Sequence, residues 1–189
     1  MRTVPLLFWR SAIHSNAMKF VRWLRFTWDL AKLPDTCEID PHYRIRNATR
    51  EDEETVRKVI NRTFSLDTDW ANTLKQVCDT LESQLDDVFH HREPPCLVVT
   101  HGARIIGVSV LSTADGCENN LLSGPCILIE YRSRGIGSAL LHRSLVALRD
   151  AGLAQAHGVT KEGVPAAKFI YPKFHSVSVE HDFDPQLVG

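Results

Sequence analysis

A glycine-containing segment flanked by arginines, residues 131–138, carries the strongest chemical signal in the sequence. It reads Tyr-Arg-Ser-Arg-Gly-Ile-Gly-Ser, follows an apolar run and precedes a helical apolar pattern over residues 139–148. The first backbone N–H groups of a helix have no acceptor within the helix, and the helix dipole adds to their positive charge. Glycine lets an anion approach the backbone because it has no Cβ. With Arg132 and Arg134 adding charge, the segment predicts a binding site for phosphate or pyrophosphate.

Two widespread phosphate-binding motifs do not fit this segment. The sequence contains no GxxxxGK[ST], and the third glycine of GxGxxG is replaced by Leu140. A dinucleotide-binding strand would normally open its domain, whereas two helical and two strand patterns come first here. A tight strand-to-helix turn that binds no ligand is the structural alternative.

The elements that must position this segment are those of a mixed α/β domain. Tyr43–Asn47 alternates like a strand, Thr49 and Asp52 form an acidic variant of the capping box, and two amphipathic helical patterns follow up to Pro94 and Pro95. Later patterns predict strands over 96–100, 105–111, 121–129, 154–159 and 177–180, and a helix from Pro165 to about Phe174. Because proline fits poorly inside a ladder, we expect a bulge or splay at Gly124-Pro125.

The glycine segment resembles the acetyl-CoA motif of the GCN5-related N-acetyltransferase family. The likeness covers Tyr131–Leu141 nearly residue for residue, with R-x-x-G-x-G at the strand-to-helix junction. A second stretch, Ala167–Phe174, resembles the family's later helix, which carries an alanine and, four residues on, a tyrosine. The order of elements agrees over about residues 42–180. The resemblance implies a mostly antiparallel central sheet flanked by helices.

The resemblance also implies where acetyl-CoA would bind. Backbone amides of residues 134–138 would hold the pyrophosphate, and the backbone of 127–129 would pair with the pantetheine arm. The thioester would lie in the splay between this strand and the one beginning near Ala154. Tyr171 would protonate the leaving thiolate; the alternative is an aromatic side chain packed on a helix. The residues so assigned to acetyl-CoA are Ile127, Leu128, Ile129, Arg132, Arg134, Gly135, Ile136, Gly137 and Ser138.

Two departures from the family pattern leave the general base open. Many members carry a glutamate on the strand before the glycine loop, where this sequence has Ser123 or Gly124, and Val164 replaces a frequent asparagine. An alkylamine is almost fully protonated at neutral pH, so transfer needs a proton acceptor. The candidates are Glu118, His157 and Glu162. Cys126 raises the alternative of an acyl-cysteine intermediate.

Composition narrows the class of protein. The 189 residues are 43% hydrophobic and 24% charged with a formal net charge of -1, which is typical of a folded domain and gives no global field for nucleic acid. The five cysteines are an odd number with no CxxC pair, and the nine histidines lack zinc-ligand spacing. We therefore expect reduced thiols, no metal, a cytoplasmic location and no transmembrane segment.

The first 40 residues differ in composition from the rest, so we assign 1–40 to an N-terminal extension and 41–189 to the acetyl-CoA-binding domain. Three of the four tryptophans lie here, and the spacing predicts an amphipathic helix over Met18–Leu33 that ends at Pro34. We expect its apolar face to pack on the domain. A partner-binding or membrane-surface helix is the functional alternative, because basic stripes beside aromatic residues favour anionic interfaces.

Together these patterns predict an N-acetyltransferase in which a small-molecule or peptide amine attacks acetyl-CoA directly. A CoA-binding regulatory module without turnover is the alternative, and nucleic-acid binding is disfavoured by the charge balance. The segment Ser65–Trp70, with Asp67 and Asp69, hints at a cationic acceptor. The family usually has two strands after the last helix, but the chain is short there. The acceptor wall is therefore expected to be open or completed by a second copy in a homodimer.

Overall fold

A computed structural model of the chain describes residues 21–91 and 93–182. Within these ranges the chain forms seven strands in two antiparallel sheets, together with three α-helices. The strands are β1 (Trp23–Asp29), β2 (Tyr43–Asn47), β3 (Cys96–His101), β4 (Arg104–Val110), β5 (Cys126–Ile127), β6 (Gln155–Lys161) and β7 (Val177–His181). The helices are α1 (Glu53–Ser65), α2 (Leu74–His90) and α3 (Ile136–Asp150). The mixed, mostly antiparallel fold class expected from the sequence is confirmed.

The first sheet has the strand order β2-β3-β4-β5. The prolines before β3 end α2 as expected, and β3 and β4 form the predicted hairpin. The third apolar run, predicted as a strand over 121–129, is a strand only at Cys126 and Ile127. Gly124 has a positive φ of 61° and Pro125 follows it, so the irregularity expected at this dipeptide delays the start of the ladder.

The second sheet has the order β6-β1-β7, and its central strand comes from the predicted N-terminal extension. Residues 23–27 of β1 pair antiparallel with both β6 and β7. The predicted amphipathic helix is therefore wrong from Trp23 onward, while its first residues, 18–20, lie outside the described part of the chain. The wall that we expected to be open or completed by a second copy contains this chain's own β1.

The apolar residues of β1 recur at every second position, so they fit a strand as well as they fit a helix. Leu24, Phe26 and Trp28 point to one face and pack in the apolar cluster beneath α3. Aromatic side chains and Thr27 favour strands over helices. The partners of β1 lie more than 120 residues away in sequence, so local periodicity gave no sign of them.

Helix α3 joins the two halves of the molecule. Its residues Ile136 and Leu140 pack in the cluster under the first sheet, whereas Leu141, Leu145 and Leu148 pack in the cluster under the second. All five side chains are at most 1% exposed. The N-terminus of α3, preceded by the glycine segment, is consequently fixed at the junction between the sheets.

The predicted helix from Pro165 is a short π-helical turn, Ala166–Ile170, closed by a hydrogen bond from Tyr171 N to Ala166 O at 2.8 Å. The capping box predicted before α1 is confirmed, because the Asp52 carboxylate accepts a hydrogen bond from Thr49 N at 2.8 Å. None of the helices described, α3 included, is long and apolar enough to cross a bilayer.

Candidate active site

A cavity of about 940 Å³ passes between β5 and β6, the facing strands of the two sheets. One end is lined by the glycine segment, through Gly135, Gly137 and Ser138. The lining also includes residues of α1, of α2 and of the segment between them, and the first residue of β1. A single continuous space therefore connects the predicted anion site with a second, mainly apolar compartment.

The space exists because the chain before β5 separates from β6. Asn120 N donates to His157 O at 2.8 Å, and the Asn119 side chain accepts from Val159 N at 3.2 Å, so the two segments are joined there. Beyond Gly124-Pro125 the strand residues Cys126 and Ile127 pair with β4 instead. The predicted splay between these strands is thus present.

The glycine end of the cavity presents backbone donors. In the described part of the chain, no acceptor lies within hydrogen-bond distance of the N–H groups of residues 133–137. Gly135 has a φ of 77°, and a Cβ placed on it would meet nothing within 4 Å, so the space before the helix is open. Ser133 also has a positive φ, 62°. Such a run of unpaired amides at a helix start fits an anion such as pyrophosphate.

The two arginines of the segment are both engaged by the protein. Arg132 donates to Asp67 Oδ2 at 2.8 Å and to Ile127 O at 3.2 Å, and it lines the cavity. Arg134 donates to Tyr43 Oη and to Glu130 O, each at 3.1 Å, and does not line the cavity. The positive charge at the glycine end therefore comes first from the helix and its amides, and secondly from a partly neutralised Arg132.

Residues 127–129, which we expected to pair with the pantetheine arm, differ in their surroundings: the first lines the cavity, the second lies in the core and the third is exposed. Leu128 N donates to Ile106 O at 3.0 Å, across the first sheet, so the neighbouring Ile127 peptide group faces the opposite edge and the cavity. Leu128 and Ile136 are core residues, 3% and 1% exposed. Ile129 begins a 3₁₀ turn and is 52% exposed. Of this stretch, Ile127 alone lines the cavity.

Tyr171 lines the cavity and packs on β1 of the second sheet. Its ring packs edge-on against Phe26 and Trp28 of β1, with centroids 5.3 and 5.4 Å away. The residue is 2% exposed, and burial raises the pKa of its phenol above the usual value. Within the described residues the hydroxyl makes no hydrogen bond, and Tyr171 lines the cavity. The phenol is thus neutral and able to donate a hydrogen bond into the gap.

Cys126 and Ser123 are occupied with structural contacts. The Cys126 thiol donates to Ser123 O at 3.3 Å, and burial raises its pKa to about 12. A thiol in this state is a poor nucleophile, because the thiolate is the reactive form. The Ser123 hydroxyl accepts from Val110 N and donates to Gly124 O, both at 2.9 Å. Neither side chain is arranged to attack a thioester.

The three candidate bases differ in their position relative to the cavity. Glu118 lines the cavity at its rim, with its carboxylate 3.8 Å from Arg25 and 3.7 Å from His181. His157 contacts Thr27 Oγ1 at 3.0 Å and is outside the cavity lining, and its pKa is lowered by burial and by nearby Arg25. Glu162 lies 3.5 Å from Arg22 and is also outside the lining.

The compartment between α1 and α2 contains residues that the sequence did not single out. Its walls include Thr63, Phe64, Val77, Leu81, Leu122 and Trp23. Trp70, which the sequence did indicate, lies 4.9 Å from Phe64 and 6.1 Å from Trp23 between ring centroids. The hint of a cation site is not supported: Asp67 is paired with Arg132, and Asp69 is exposed outside the lining.

Solved structures with the same fold include proteins named as acetyltransferases. A GCN5-related N-acetyltransferase from Sphaerobacter thermophilus superposes with a TM-score of 0.60 at 16% identity, over 85% of this chain and 49% of that one. A Drosophila protein gives 0.58 at 11% identity, over 85% and 48%. A region named a GCN5-related glucosamine N-acetyltransferase, in a fungal multi-domain GH3 β-N-acetylglucosaminidase, gives 0.50 at 14% identity, over 74% and 20%.

These likenesses establish the fold. The chain spans about half the length of the first two structures. No protein-family model and no curated protein matches the sequence. The architecture is accordingly similar to that of the GCN5-related N-acetyltransferases, at identities too low to carry over a substrate.

Proposed function

We propose that the protein is an N-acetyltransferase that transfers an acetyl group from acetyl-CoA to an amine by direct attack. The observation that carries the proposal is the continuity of one cavity, from the unpaired amides before α3, past the Tyr171 phenol, to the compartment between α1 and α2. A two-substrate reaction of this kind needs an anion site and an acceptor site that meet at a narrow point.

Acetyl-CoA would supply the electrophile, an activated thioester carbonyl. The amides of residues 133–137 would hold its pyrophosphate. The outward-facing Ile127 N–H would contact its extended arm, since the Ile127 carbonyl already accepts from Arg132. Tyr171 lines the same cavity with its hydroxyl unpaired among the described residues. Its raised pKa keeps the phenol protonated, so it donates a hydrogen bond as negative charge develops on the leaving sulfur.

Glu118 is the base that the geometry favours for the acceptor amine. Of the three candidates, Glu118 is the one that lines the cavity. Its contacts with Arg25 and His181 orient the carboxylate, and its side chain is 71% exposed, so a proton can pass onward to water. This places proton removal on the acceptor side and proton donation on the Tyr171 side.

Calorimetric titration of acetyl-CoA tests the binding half of the proposal. Gly135→Leu puts a side chain into the space before α3, and Gly152→Leu is its control, because Gly152 also has a positive φ, 98°, with nothing within 4 Å of an added Cβ. Both variants carry the backbone strain. Only Gly135→Leu is expected to weaken acetyl-CoA binding, by at least tenfold. Absence of binding to the folded wild-type protein would overturn the proposal.

Thiol release with a panel of amines tests the chemical half. A CoA-binding regulatory module is the second candidate, favoured by the absence of a glutamate at Ser123 or Gly124. That module would bind acetyl-CoA and lose the binding in Gly135→Leu, yet release no thiol with any amine. Amine-dependent release that falls in Glu118→Gln separates the enzyme from the module.

A further inference from the structure

We infer that the compartment between α1 and α2 selects a monoamine with an apolar body, in preference to a polyamine, an amino sugar or a lysine-bearing peptide. The inference rests on the proposed function, since it names the acceptor class for the same cavity. It is carried by the chemistry of the walls and the placement of charge, and one unpaired hydroxyl provides a site at which to test it.

The walls at this end are predominantly apolar. Phe64 and Trp70 pack edge-on, with an interplanar angle of 87°, and Trp23 tilts against Trp70 at 52°. Further apolar side chains come from α2 and from the segment before β5: Val77, Leu81 and Leu122. The lining at this end also includes polar side chains: Asp67 is paired with Arg132, Thr80 donates to Gln76 O, and Gln84 comes from α2. Aromatic and aliphatic walls favour binding of a ligand whose apolar groups leave water.

The charges near these walls fit one ammonium group at the rim. Asp67, the carboxylate on the inner side, is held at 2.8 Å by Arg132. Lys161 lies over the Trp70 ring, 5.4 Å from its centroid, and adds a cation behind the wall. Glu118 is the other carboxylate of the described lining; it is 71% exposed at the rim and lies 3.8 Å from Arg25 and 3.7 Å from His181, longer than the Asp67–Arg132 contact. One peripheral carboxylate suits a monoamine, whereas a polycation would need several.

An unpaired hydroxyl lies in the same compartment. Thr63 on α1 is 8% exposed and lines the cavity, and its Oγ1 is buried without a hydrogen-bond partner in the described structure. Buried polar atoms are nearly always paired, so this one calls for a partner from water or from a bound molecule. Its neighbour Thr80 shows the usual state, donating to Gln76 O at 2.9 Å.

The kinetic test is a homologous series of primary amines with acetyl-CoA. From ethylamine to butylamine to hexylamine, kcat/KM is expected to rise about fourfold for each added methylene, which corresponds to ~0.8 kcal/mol. Spermidine and glucosamine are expected to be at least tenfold poorer than hexylamine. Equal or better turnover of spermidine or glucosamine would overturn the inference while leaving the proposed transferase activity intact.

Two variants tie the preference to this compartment. Thr63→Val removes the hydroxyl that hexylamine cannot pair, so kcat/KM for hexylamine is expected to rise about fivefold or more. Thr68→Val, at an exposed position outside the lining, is the control and is expected to change nothing. Trp70→Ala is expected to flatten the dependence on chain length, and Leu66→Ala, 53% exposed and outside the lining, to preserve it. A fall in Thr63→Val with hexylamine would contradict the assignment.

Calorimetry with CoA present separates this inference from the proposed function, because it measures amine binding without turnover. If hexylamine binds more tightly than ethylamine but no amine is acetylated, the acceptor class stands and the transferase proposal fails. If hexylamine binds no better than ethylamine or spermidine, the apolar acceptor class fails, whatever the turnover shows.

Discussion

Gly124 and Tyr171 fit against each other so closely that a Cβ on the glycine would lie 2.5 Å from the tyrosine hydroxyl oxygen. The glycine also has a φ of 61°, a conformation that side chains rarely adopt. Gly124 therefore both delays the start of β5 and leaves room for the phenol in the cavity that both residues line.

Gly124→Ala is expected to displace the Tyr171 hydroxyl and to lower kcat for amine acetylation by about tenfold or more, because a misplaced donor stabilises the leaving sulfur poorly. The measurement is kcat for thiol release, with acetyl-CoA affinity followed by calorimetry. Gly116→Ala is the matched control, since Gly116 has a φ of 72° with nothing within 4 Å of an added Cβ and lies outside the cavity lining. Equal kcat in the two variants would contradict a fitted Gly124–Tyr171 pair.

Tyr171→Phe removes the donor and keeps the ring. The packing on Phe26 and Trp28 is retained, so the free energy of unfolding should change little. The proton donor is lost, and kcat is expected to fall about 100-fold, the lower end of the range for positioned acids and bases. Tyr131→Phe, whose ring lies outside the cavity lining, should leave kcat unchanged. An unaltered kcat in Tyr171→Phe would show that the buried phenol is only a packing residue.

The glycine segment and its helix could be predicted from the sequence because every signal there is local. The apolar run, the two glycines and the leucine pattern of α3 follow one another within the 28 residues 121–148. The use of Arg132 and Arg134 could not be predicted, because their partners, Asp67 and Tyr43, come from distant segments. Thr63 gave no signal either, since a lone threonine in a helical pattern does not reveal whether its hydroxyl will be paired.

In the N-terminal segment, by contrast, the local pattern predicted a helix where the chain forms a strand. The apolar residues of 20–31 fit a helical period, but the same run satisfies the period-two alternation of β1. The segment is a strand because β6 and β7 provide backbone hydrogen-bond partners on both of its sides. Tertiary pairing overrides a weak local preference in such a run.

Trp28→Ala tests the placement of β1 in the core. Trp28 is 0% exposed, and its indole N–H donates to Lys173 O at 3.0 Å, so the residue joins β1 to the segment after Tyr171. The change is expected to lower the free energy of unfolding by about 3–5 kcal/mol, as for other large-to-small core substitutions. Urea denaturation measures it, with Leu66→Ala as the exposed control. A loss below about 1 kcal/mol would mean that this strand does not belong to the folded core.

Cys126→Ala tests whether acyl transfer passes through a cysteine. Because burial raises the pKa of this thiol to about 12, almost none of it is thiolate at neutral pH. We expect kcat to stay within about threefold of the wild type and the kinetics to remain sequential. Mass spectrometry after mixing with acetyl-CoA alone should show no acetyl group on Cys126. A trapped thioester at Cys126, or ping-pong kinetics lost in Cys126→Ala, would contradict direct attack.

The Arg46–Asp52 pair should make stability depend on pH at the acidic end. Two hydrogen bonds from the Arg46 guanidinium, at 2.6 and 3.0 Å, and one from Thr49 N lower the pKa of Asp52 to about 2, from an ordinary 3.8. Because the folded-state pKa is the lower one, the pair stabilises the fold above pH 4, and the contribution is lost as the pH falls from about 4 to 2. Asp52→Asn is therefore expected to lower the free energy of unfolding by about 1–2 kcal/mol at pH 7.

The same variant should approach the wild type as the pH falls through 2 and below, where Asp52 becomes protonated in the folded as well as the unfolded state. Glu54→Gln is the control, since Glu54 is 81% exposed and pairs only with Lys58 among the described residues, and we expect little change at any pH. A difference between Asp52→Asn and the wild type that is the same at pH 2 and pH 7 would assign the effect to the cap geometry rather than to charge. Urea unfolding at a series of pH values distinguishes the two, because only the charge term follows the titration of the carboxyl group.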